Sequence, residues 1–429
     1  MLFILNIFKR IIPTSDFNRH VTTLIVGQLF VHLISFAALP IITRIYSVEQ
    51  IGSYSLFMAI FMVLSIVSTG RYDSAIVVEP DEKKSIALWS LSLLISFLFS
   101  LILFVLLLIF KENLLLFLKT QQLGIYILLL PLAIFLASIN RATQFYFNKI
   151  EAYRKITQAD IIKSGVNSSG GVVLGLLKFL SGGLIVANIL SLLISAFYLF
   201  FQLPKRFWNA ISFSVVALKE VAISYKDYLS YYSISGVLSA LVSNGTPIFI
   251  IFFFTEKTAG YYFMAEKVVS IPLGLVVAAI SRVFYQKATL LYHENKNEFL
   301  QLIFTIQKRM LFVLIPLLIV LSLAAPYFFE LFGDDWRKAG EMIKYFAVLV
   351  FFNNLVSPVG SISNIINRLD ILLYFNIVLA VCRLGTFYIG SLFFSFEYAL
   401  LLSAIVLSIC YIVLDIYLKN IIKKSILRG

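Results

Sequence analysis

Charge is scarce in this sequence. Asp, Glu, Lys and Arg make up 13% of its 429 residues, whereas a soluble domain carries about 25%. Hydrophobic residues account for 60% of the chain, and the mean hydropathy is +0.95. A chain with so much apolar surface needs an apolar solvent on every side, and only a lipid bilayer provides one. The composition therefore predicts an integral membrane protein.

Cysteine is nearly absent, and so are the motifs of common enzymes. Cys382 and Cys410 lie in hydrophobic stretches and show neither a disulfide framework nor metal-ligand spacing. The sequence has no phosphate-binding loop of the form GxxxxGKS or GxxxxGKT, so we do not expect the chain to be its own ATPase. It also lacks paired carboxylates at a helix end and a nucleophile–base set. We therefore predict neither an enzyme nor a bound metal or cofactor.

What the sequence has instead is a series of long hydrophobic runs. A helix needs about 20 apolar residues to cross the hydrocarbon core of a bilayer. Twelve stretches qualify, and we number them as predicted spans 1 to 12: 21–42, 51–69, 85–110, 123–142, 157–177, 181–202, 228–254, 259–281, 309–330, 343–365, 371–393 and 397–418. The first span is too long to be a removable signal peptide and lacks a small-residue cleavage site. We predict an all-α protein with about twelve membrane-spanning helices.

The distribution of Lys and Arg predicts the orientation of these spans. The two termini and every second connecting segment hold about three times as many Lys and Arg residues as the opposite set. Cytoplasmic segments carry this excess, so both termini are predicted to be cytoplasmic. The net charge of +13 then reflects topology, and we do not expect nucleic acid as a partner. The longest connecting segments, 203–227 and 282–308, are too short for a folded catalytic domain.

An internal repeat relates the ends of predicted spans 1 and 7. Tyr46-Ser47 aligns with Phe254-Thr255, Gly52 with Gly260, and Tyr54 with Tyr262, at a separation of nearly half the chain. Repeats of this kind are typical of transporters in which two halves flank a central path. We predict the following organisation: a cytoplasmic N-terminus at 1–20, a six-helix N-lobe at 21–202, a cytoplasmic linker at 203–227, a six-helix C-lobe at 228–418 and a cytoplasmic tail at 419–429.

Several predicted spans carry polar residues that are costly in hydrocarbon and therefore normally face a bundle interior or a water-filled cavity. The sharpest case is Arg383 in the middle of span 11. The candidates for a substrate-binding lumen are Arg383, Lys267, Lys163, Asn167, Arg44, Arg71, Arg282, Gln28, His32 and Asn376. The alternatives stay open, because small and hydroxyl residues also mediate helix packing, Glu266 is able to neutralise Lys267, and arginines at helix ends reach the interface.

The sign of the charges inside the spans favours an anionic cargo. Bases are in modest excess, and a guanidinium binds phosphate oxygens through two hydrogen bonds. Only Asp73, Asp160 and Glu266 are plausible groups for coupling transport to a proton or Na⁺. A lumen for cationic drugs would more naturally present isolated carboxylates.

Four motifs in order carry a resemblance to a known family. They are PIITRIYSVEQIGSY at 40–54, GRYDSAI at 70–76, GYYFMAEK at 260–267 followed by Pro272, and LFGDDWRKAG at 331–340. The chain resembles the polysaccharide exporters of the multidrug/oligosaccharidyl-lipid/polysaccharide superfamily, which include flippases for O-antigen and capsule repeat units. The likeness extends from about residue 20 to residue 370.

The resemblance implies two six-helix lobes around a cationic cavity that opens alternately to each side of the bacterial cytoplasmic membrane. It implies a polyprenyl-diphosphate-linked oligosaccharide as cargo, with other membrane proteins of polysaccharide assembly as possible partners. By position, Arg44, Arg71, Lys267 and Arg282 fall in or beside the matching motifs. Two alternatives remain: a cation-coupled multidrug exporter of the same superfamily, and a membrane polymerase or ligase that acts on the same saccharides.

Overall fold

The protein is helical throughout the part of the chain that the computed structural model describes, which comprises residues 16–118, 120, 122–211, 214–360, 362–366 and 368–427. No strand occurs within these ranges. Most of the predicted N-terminal segment and the last two residues of the predicted tail lie outside them. The prediction of an all-α protein is confirmed for the described residues.

Seventeen α-helices follow one another along the described residues. They are α1 Asp16–Ile45, α2 Val48–Val67, α3 Tyr72–Val78, α4 Glu82–Phe117, α5 Leu130–Lys149, α6 Tyr153–Leu176, α7 Leu180–Phe201, α8 Lys205–Ala210, α9 Val215–Ser224, α10 Ser233–Asn244, α11 Thr246–Phe253, α12 Glu256–Glu294, α13 Lys296–Glu330, α14 Arg337–Gly360, α15 Ile362–Ile365, α16 Leu369–Phe393 and α17 Phe396–Leu427. Short 3-10 turns precede α5 and α14, and a π-helical turn at Tyr228–Tyr232 precedes α10.

Nine helical segments among the described residues are long and apolar enough to cross a membrane, and a tenth is counted if the bent pair α10–α11 forms one span. The chain is therefore a multi-pass membrane protein. The helices at predicted spans 5 and 8, α6 and α12, are 24 and 39 residues long but do not meet the same criterion. Their charged and amide side chains lower the hydropathy. Large apolar side chains on α4 and α13 are exposed, as expected for helices that face lipid.

The two longest predicted connections, 282–308 and 203–227, are largely helical in the described part of the structure. The segment 282–308 is not a loop: α12 continues to Glu294, and Asn295 alone separates it from α13. The Asn295 side chain caps the start of α13, because it accepts hydrogen bonds from the backbone amides of Asn297 and Glu298 at 3.1 and 3.2 Å. Predicted span 7 is not one straight helix, since α10 and α11 meet at a 60° bend.

The described residues of the predicted linker are also largely helical, and they pack against the first half of the chain. Phe207 on α8 is fully buried and lies edge-to-face against Trp89 of α4 at 5.1 Å between ring centroids. The Tyr225 hydroxyl donates to Glu79 at 2.9 Å. Burial and the neighbouring Glu79 carboxylate raise the pKa of Tyr225 to about 12, so its hydroxyl keeps the proton that makes this bond. α8 and α9 are therefore packed on the first half.

The aligned repeat segments start their helices in the same way. Ser47 and Gln50 form a reciprocal capping box at the start of α2, and Thr255 and Thr258 form one at the start of α12. The aligned glycines then bring the two helices together. A Cβ atom on Gly52 would lie 1.9 Å from the carbonyl oxygen of Glu256, and one on Gly260 would lie 2.1 Å from that of Val48. Each helix thus contacts its repeat partner with the same surface.

Candidate functional site

The polar residues predicted on spans 1 and 5 form one cluster around Asp160. Gln28 of α1 donates to Asp160 Oδ2 at 3.3 Å, and Gln144 of α5 donates to Oδ1 at 3.1 Å. Lys163 forms an ion pair with the same carboxylate at 3.7 Å. The structure therefore brings together three predicted residues, Gln28, Asp160 and Lys163, because α1 and α5 both pack against α6. Gln144 is a fourth member that the sequence reading missed.

The seam between α1 and α6 continues beyond this cluster. Ser35 and Ser164 share a hydrogen bond of 3.1 Å, and Ser164 also donates to the carbonyl of Val31 at 3.0 Å. His32 is half-buried on α1 beside this seam. One turn further along α6, Asn167 hydrogen bonds the buried Tyr54 hydroxyl of α2. Part of the small polar stripe on α6 is thus used for helix packing.

Asp73 is not an isolated carboxylate, because it pairs with Arg141 of α5. The Asp73 side chain has no exposed surface, and its Oδ2 accepts from Arg141 Nε. The second amino group of the guanidinium, Nη2, donates to the carbonyl of Ser65 at 2.6 Å and to the Thr69 hydroxyl at 3.2 Å. The ion pair with Asp73 therefore ties α3 to α5, and the hydrogen bond to Ser65 ties the end of α2 to the same guanidinium.

Arg141 is the main residue that the sequence reading missed. It lies at the very end of predicted span 4, 123–142, and is not among the candidate residues predicted from the sequence. The helix α5 in fact continues to Lys149, so Arg141 lies inside it with Gln144 and Asn148 three and seven residues further on. That spacing places all three on one helical face, and it was readable from the sequence.

A cavity of about 220 Å³ lies where these residues meet. Its walls come from the last two turns of α5 and the first turn of α6. The lining side chains are Arg141, Gln144, Phe145, Asn148, Tyr153 and Ile156. Gln144 belongs both to the lining of this cavity and to the cluster around Asp160.

Arg71 lies at the turn between α2 and α3, against the start of the second half. Gly70 and Arg71 both have positive φ, 58° and 61°, a conformation that costs a non-glycine residue energy and often marks a functional position. The Nε atom of Arg71 is buried without a hydrogen-bond partner. A Cβ atom on Gly236 of α10 would lie 3.9 Å from it, so α10 closes over this side chain.

The polar residues predicted in the second half form a separate group. Glu266 of α12 hydrogen bonds Ser270 and lies within electrostatic range of both Lys267 and Arg383. The Lys267 ammonium stands over the ring of Phe263 at 4.4 Å from its centroid, a cation–π contact. Asn376 is half-buried on α16, two turns from Arg383.

Arg383 itself is placed in helix packing and not on an open wall. The residue is buried, with 7% of its surface exposed. The guanidinium Nη1 donates to the Val242 carbonyl of α10 and, at 2.8 Å, to the Thr246 hydroxyl of α11. The bend between α10 and α11 leaves carbonyl groups without their usual helical partners, and Arg383 satisfies one of them. These contacts give Arg383 a role in helix packing, and its lumen role stays a prediction.

Replacing Arg383 by Ala should therefore reduce the stability of the purified protein, since the Val242 carbonyl loses its partner in a buried site. We expect a loss on the order of 1–3 kcal/mol, seen as a lower thermal unfolding midpoint in detergent. Arg368→Ala is the matched control, because Arg368 forms an exposed pair with Asp370 at 2.8 Å and such pairs contribute little. If Arg383→Ala keeps wild-type stability and loses transport, the predicted lumen role is correct instead.

The remaining predicted bases lie at helix ends or outside the described side chains. Arg44 is exposed, and its Nη2 donates to the Leu331 carbonyl at 3.0 Å. The backbone of Arg282 lies in α12, but its side chain is outside the described part of the structure. In the second half, Cys382 and Cys410 approach to 3.9 Å between sulfur atoms. Among the described residues no group of three His, Cys, Asp or Glu side chains is suited to a metal ion.

Several contacts join the two halves where α1 ends and α2 and α12 begin. Trp336 donates to the Thr43 carbonyl at 3.0 Å, and Lys257 pairs with Glu49 at 3.2 Å. Thr120 hydrogen bonds Glu256, beside the close approach of the two glycines. α2 is 20 residues long and so spans about 30 Å. This closed end is therefore separated by the length of a membrane helix from Arg71 and the cavity.

Comparison with known proteins supplies the family. A family model described as polysaccharide biosynthesis protein matches residues 41–341, which is well over half of the chain. The chain belongs to the polysaccharide biosynthesis protein family. The resemblance drawn from the four sequence motifs is thereby confirmed. The match includes Arg71, Asp73, Arg141 and the polar face of α6, and it ends before Arg383.

Two curated proteins are distant relatives of this polysaccharide biosynthesis protein. It is 23% identical over 282 residues to the teichuronic acid biosynthesis protein TuaB of Bacillus subtilis, covering 64% of this chain and 56% of the relative. It is 23% identical over 322 residues to the succinoglycan biosynthesis transport protein ExoT of Rhizobium meliloti, covering 73% and 62%. The chain thus spans about three-fifths of the length of these relatives.

Solved structures show the same fold. An inward-facing multidrug resistance MATE family transporter of the MOP superfamily superimposes with a TM-score of 0.72 at 16% identity, over 93% of this chain and 98% of that one. A MOP superfamily transporter from Pyrococcus furiosus, described as having a binding pocket of reverse polarity, gives 0.62 at 15% identity over 94% and 95%. This polysaccharide biosynthesis protein therefore has a MATE-like transporter fold.

Proposed function

We propose that the protein is a flippase that moves a polyprenyl-diphosphate-linked oligosaccharide across the bacterial cytoplasmic membrane, for O-antigen or capsule synthesis. The family and the MATE-like fold support an exporter of polysaccharide building blocks. The observation that carries the proposal is a set of basic and amide side chains at helix positions inside the first half, around Asp160 and Arg141, in a chain that is otherwise strongly apolar. Such residues are expensive in a membrane unless they serve a polar cargo.

The proposed arrangement has twelve spans in two six-helix lobes with both termini in the cytoplasm. α6 and α12, which hydropathy alone does not count, supply the two polar spans. The excess of Lys and Arg in alternate segments supports the orientation. In this orientation the contacts around Gly52 and Gly260 close the outward end, and the cavity beside Arg141 faces the cytoplasm.

Transport would proceed by rocking of the two lobes, with the outward contacts breaking as the cytoplasmic side closes. Because α8 and α9 pack on the first half, we place the hinge between the lobes after the linker, near the π-helical turn at Tyr228–Tyr232. The saccharide and diphosphate would pass between the lobes while the lipid tail stays in the bilayer. The inside-negative potential favours outward movement of an anionic head group by about 2.3 kcal/mol per charge per 100 mV. Asp73, Asp160 and Glu266 are the proposed candidates for any ion coupling.

The function is tested by deleting the gene and extracting polyprenyl lipids. We expect a single completed diphosphate-linked repeat unit to accumulate on the inner leaflet while the surface polysaccharide is lost. Accumulation on the outer leaflet would instead mean that the protein acts after the flip, as a polymerase or ligase. If neither pool changes and the deletion strain becomes drug-sensitive, the multidrug exporter is the correct assignment.

A further inference from the structure

We propose that the cavity between α5 and α6 binds one sugar ring of the transported saccharide, while the diphosphate binds elsewhere. This inference rests on the proposed flippase function and assigns the sugar and the diphosphate of the cargo to two different sites. The cavity is lined by Arg141, Gln144, Phe145, Asn148, Tyr153 and Ile156. Three observations carry the assignment: the pairing of charge, the hydrogen-bonding groups and the size.

The charge at the cavity is already neutralised. Among the six lining side chains only Arg141 is charged, and its counter-ion is the fully buried Asp73. The next charged residue along the cluster, Lys163, is paired with Asp160 at 3.7 Å. A diphosphate placed here would be repelled by the Asp73 carboxylate, whereas an uncharged sugar would not. The geometry therefore favours a neutral polar ligand.

The hydrogen-bonding groups match sugar hydroxyls, which both donate and accept. An amide side chain also offers both functions. Gln144 uses its Nε2 on Asp160, which orients its Oε1 as an acceptor for a ligand. The Asn148 side chain makes no hydrogen bond within the described part of the protein, so both of its polar atoms are available. The Arg141 guanidinium is held by Asp73, Ser65 and Thr69 through Nε and Nη2, and Nη1 takes part in none of these contacts.

The apolar walls and the volume complete the match. Phe145 and Tyr153 contribute aromatic rings, and the C–H face of a pyranose packs well on such a surface. About 220 Å³ is below the roughly 300 Å³ at which pockets for drug-sized ligands begin. The cavity therefore holds one ring, and the rest of the repeat unit extends from it toward the space between the lobes.

The test compares two probes on the full-length protein in lipid nanodiscs. One probe is the lipid-linked oligosaccharide extracted from the deletion strain, and the other is polyprenyl diphosphate without sugar. Asn148→Ala should raise the Kd for the sugar-bearing lipid by about 2- to 10-fold, the equivalent of one net hydrogen bond, and leave the Kd for the bare lipid unchanged. Asn148→Phe, which fills the cavity, should have a larger effect in the same direction.

The matched control is Gln158→Ala, which removes an exposed amide on α6 away from the cavity. Its Kd for both probes should equal that of the wild type. Thermal midpoints report folding, and Asn148→Ala should not lower them because its side chain has no partner to lose. Equal weakening of both probes, or no change in either, would overturn the sugar assignment while the flippase function stands. If the wild type binds neither probe, the flippase function is wrong and this inference falls with it.

Discussion

Replacing Arg141 by Gln should abolish export of the polysaccharide and destabilise the protein. Asp73 would then remain a fully buried carboxylate without its counter-charge, and breaking a buried ion pair from one side costs about 3–5 kcal/mol. The same change removes the link between the end of α2 and α5 that shapes the cavity. Thermal unfolding in detergent measures the loss of stability, and immunoblotting of surface polysaccharide measures the loss of export.

The double variant Asp73→Asn/Arg141→Gln separates the two roles of this pair. It removes both charges, so we expect it to recover most of the stability that Arg141→Gln alone loses. Export should stay low, because the guanidinium that faces the cavity is still missing. Arg154→Gln is the matched control, since Arg154 is exposed at the start of α6. Wild-type stability of the single variant Arg141→Gln would show that the pair is not needed to hold α3 against α5.

Adding one methyl group at either interface glycine should separate the two halves at their closed end. The new Cβ of Gly52→Ala would lie 1.9 Å from a backbone oxygen, whereas ordinary contact begins near 3.4 Å. The backbone atoms on both sides cannot turn away as a side chain would, so α2 and α12 must move apart. We expect a loss of about 1–3 kcal/mol for Gly52→Ala, and a similar loss for Gly260→Ala.

A cysteine reporter measures this opening directly. Ser53 is fully buried beside the contact, and Ser53→Cys in a Cys382→Ser/Cys410→Ser background should react slowly with a membrane-impermeant maleimide. Gly260→Ala should accelerate that reaction. The control Gly385→Ala has open space around its new methyl group and gains helix propensity, so it should not lower stability and should leave the labelling unchanged. Unaltered labelling in Gly260→Ala would mean that the glycine contact does not hold this end closed.

The sequence was most informative where the relevant property is local. Apolar runs of about 20 residues, helix starts such as Ser47 and Thr255, and the four family motifs are all read over a few neighbouring residues. α6 and α12 coincide with predicted spans 5 and 8, although their polar residues keep them below the hydropathy criterion for a membrane span. The polar residues Gln28, Asp160 and Lys163 were also recognisable one by one. Their assembly around one carboxylate was not, because it depends on how α1 and α5 pack on α6.

The differences between prediction and structure arise where a residue's environment comes from distant parts of the chain. The sequence does not show that span 7 bends at Gly245 and that Arg383 donates to a carbonyl there. Arg141 was not singled out because predicted span 4 ends at 142, whereas α5 continues to Lys149. The pairing of Asp73 was not visible because its partner lies 68 residues away in sequence.

The sequence by itself determined that this is a multi-pass helical membrane protein of the polysaccharide biosynthesis family, since hydropathy and short motifs do not depend on the rest of the fold. Only the tertiary structure decided which charges are already paired, that a cavity is left between α5 and α6, and that the two repeat glycines meet. The physical reason is distance. Ion pairs and hydrogen bonds act over a few ångströms, and helix packing alone decides which groups come that close.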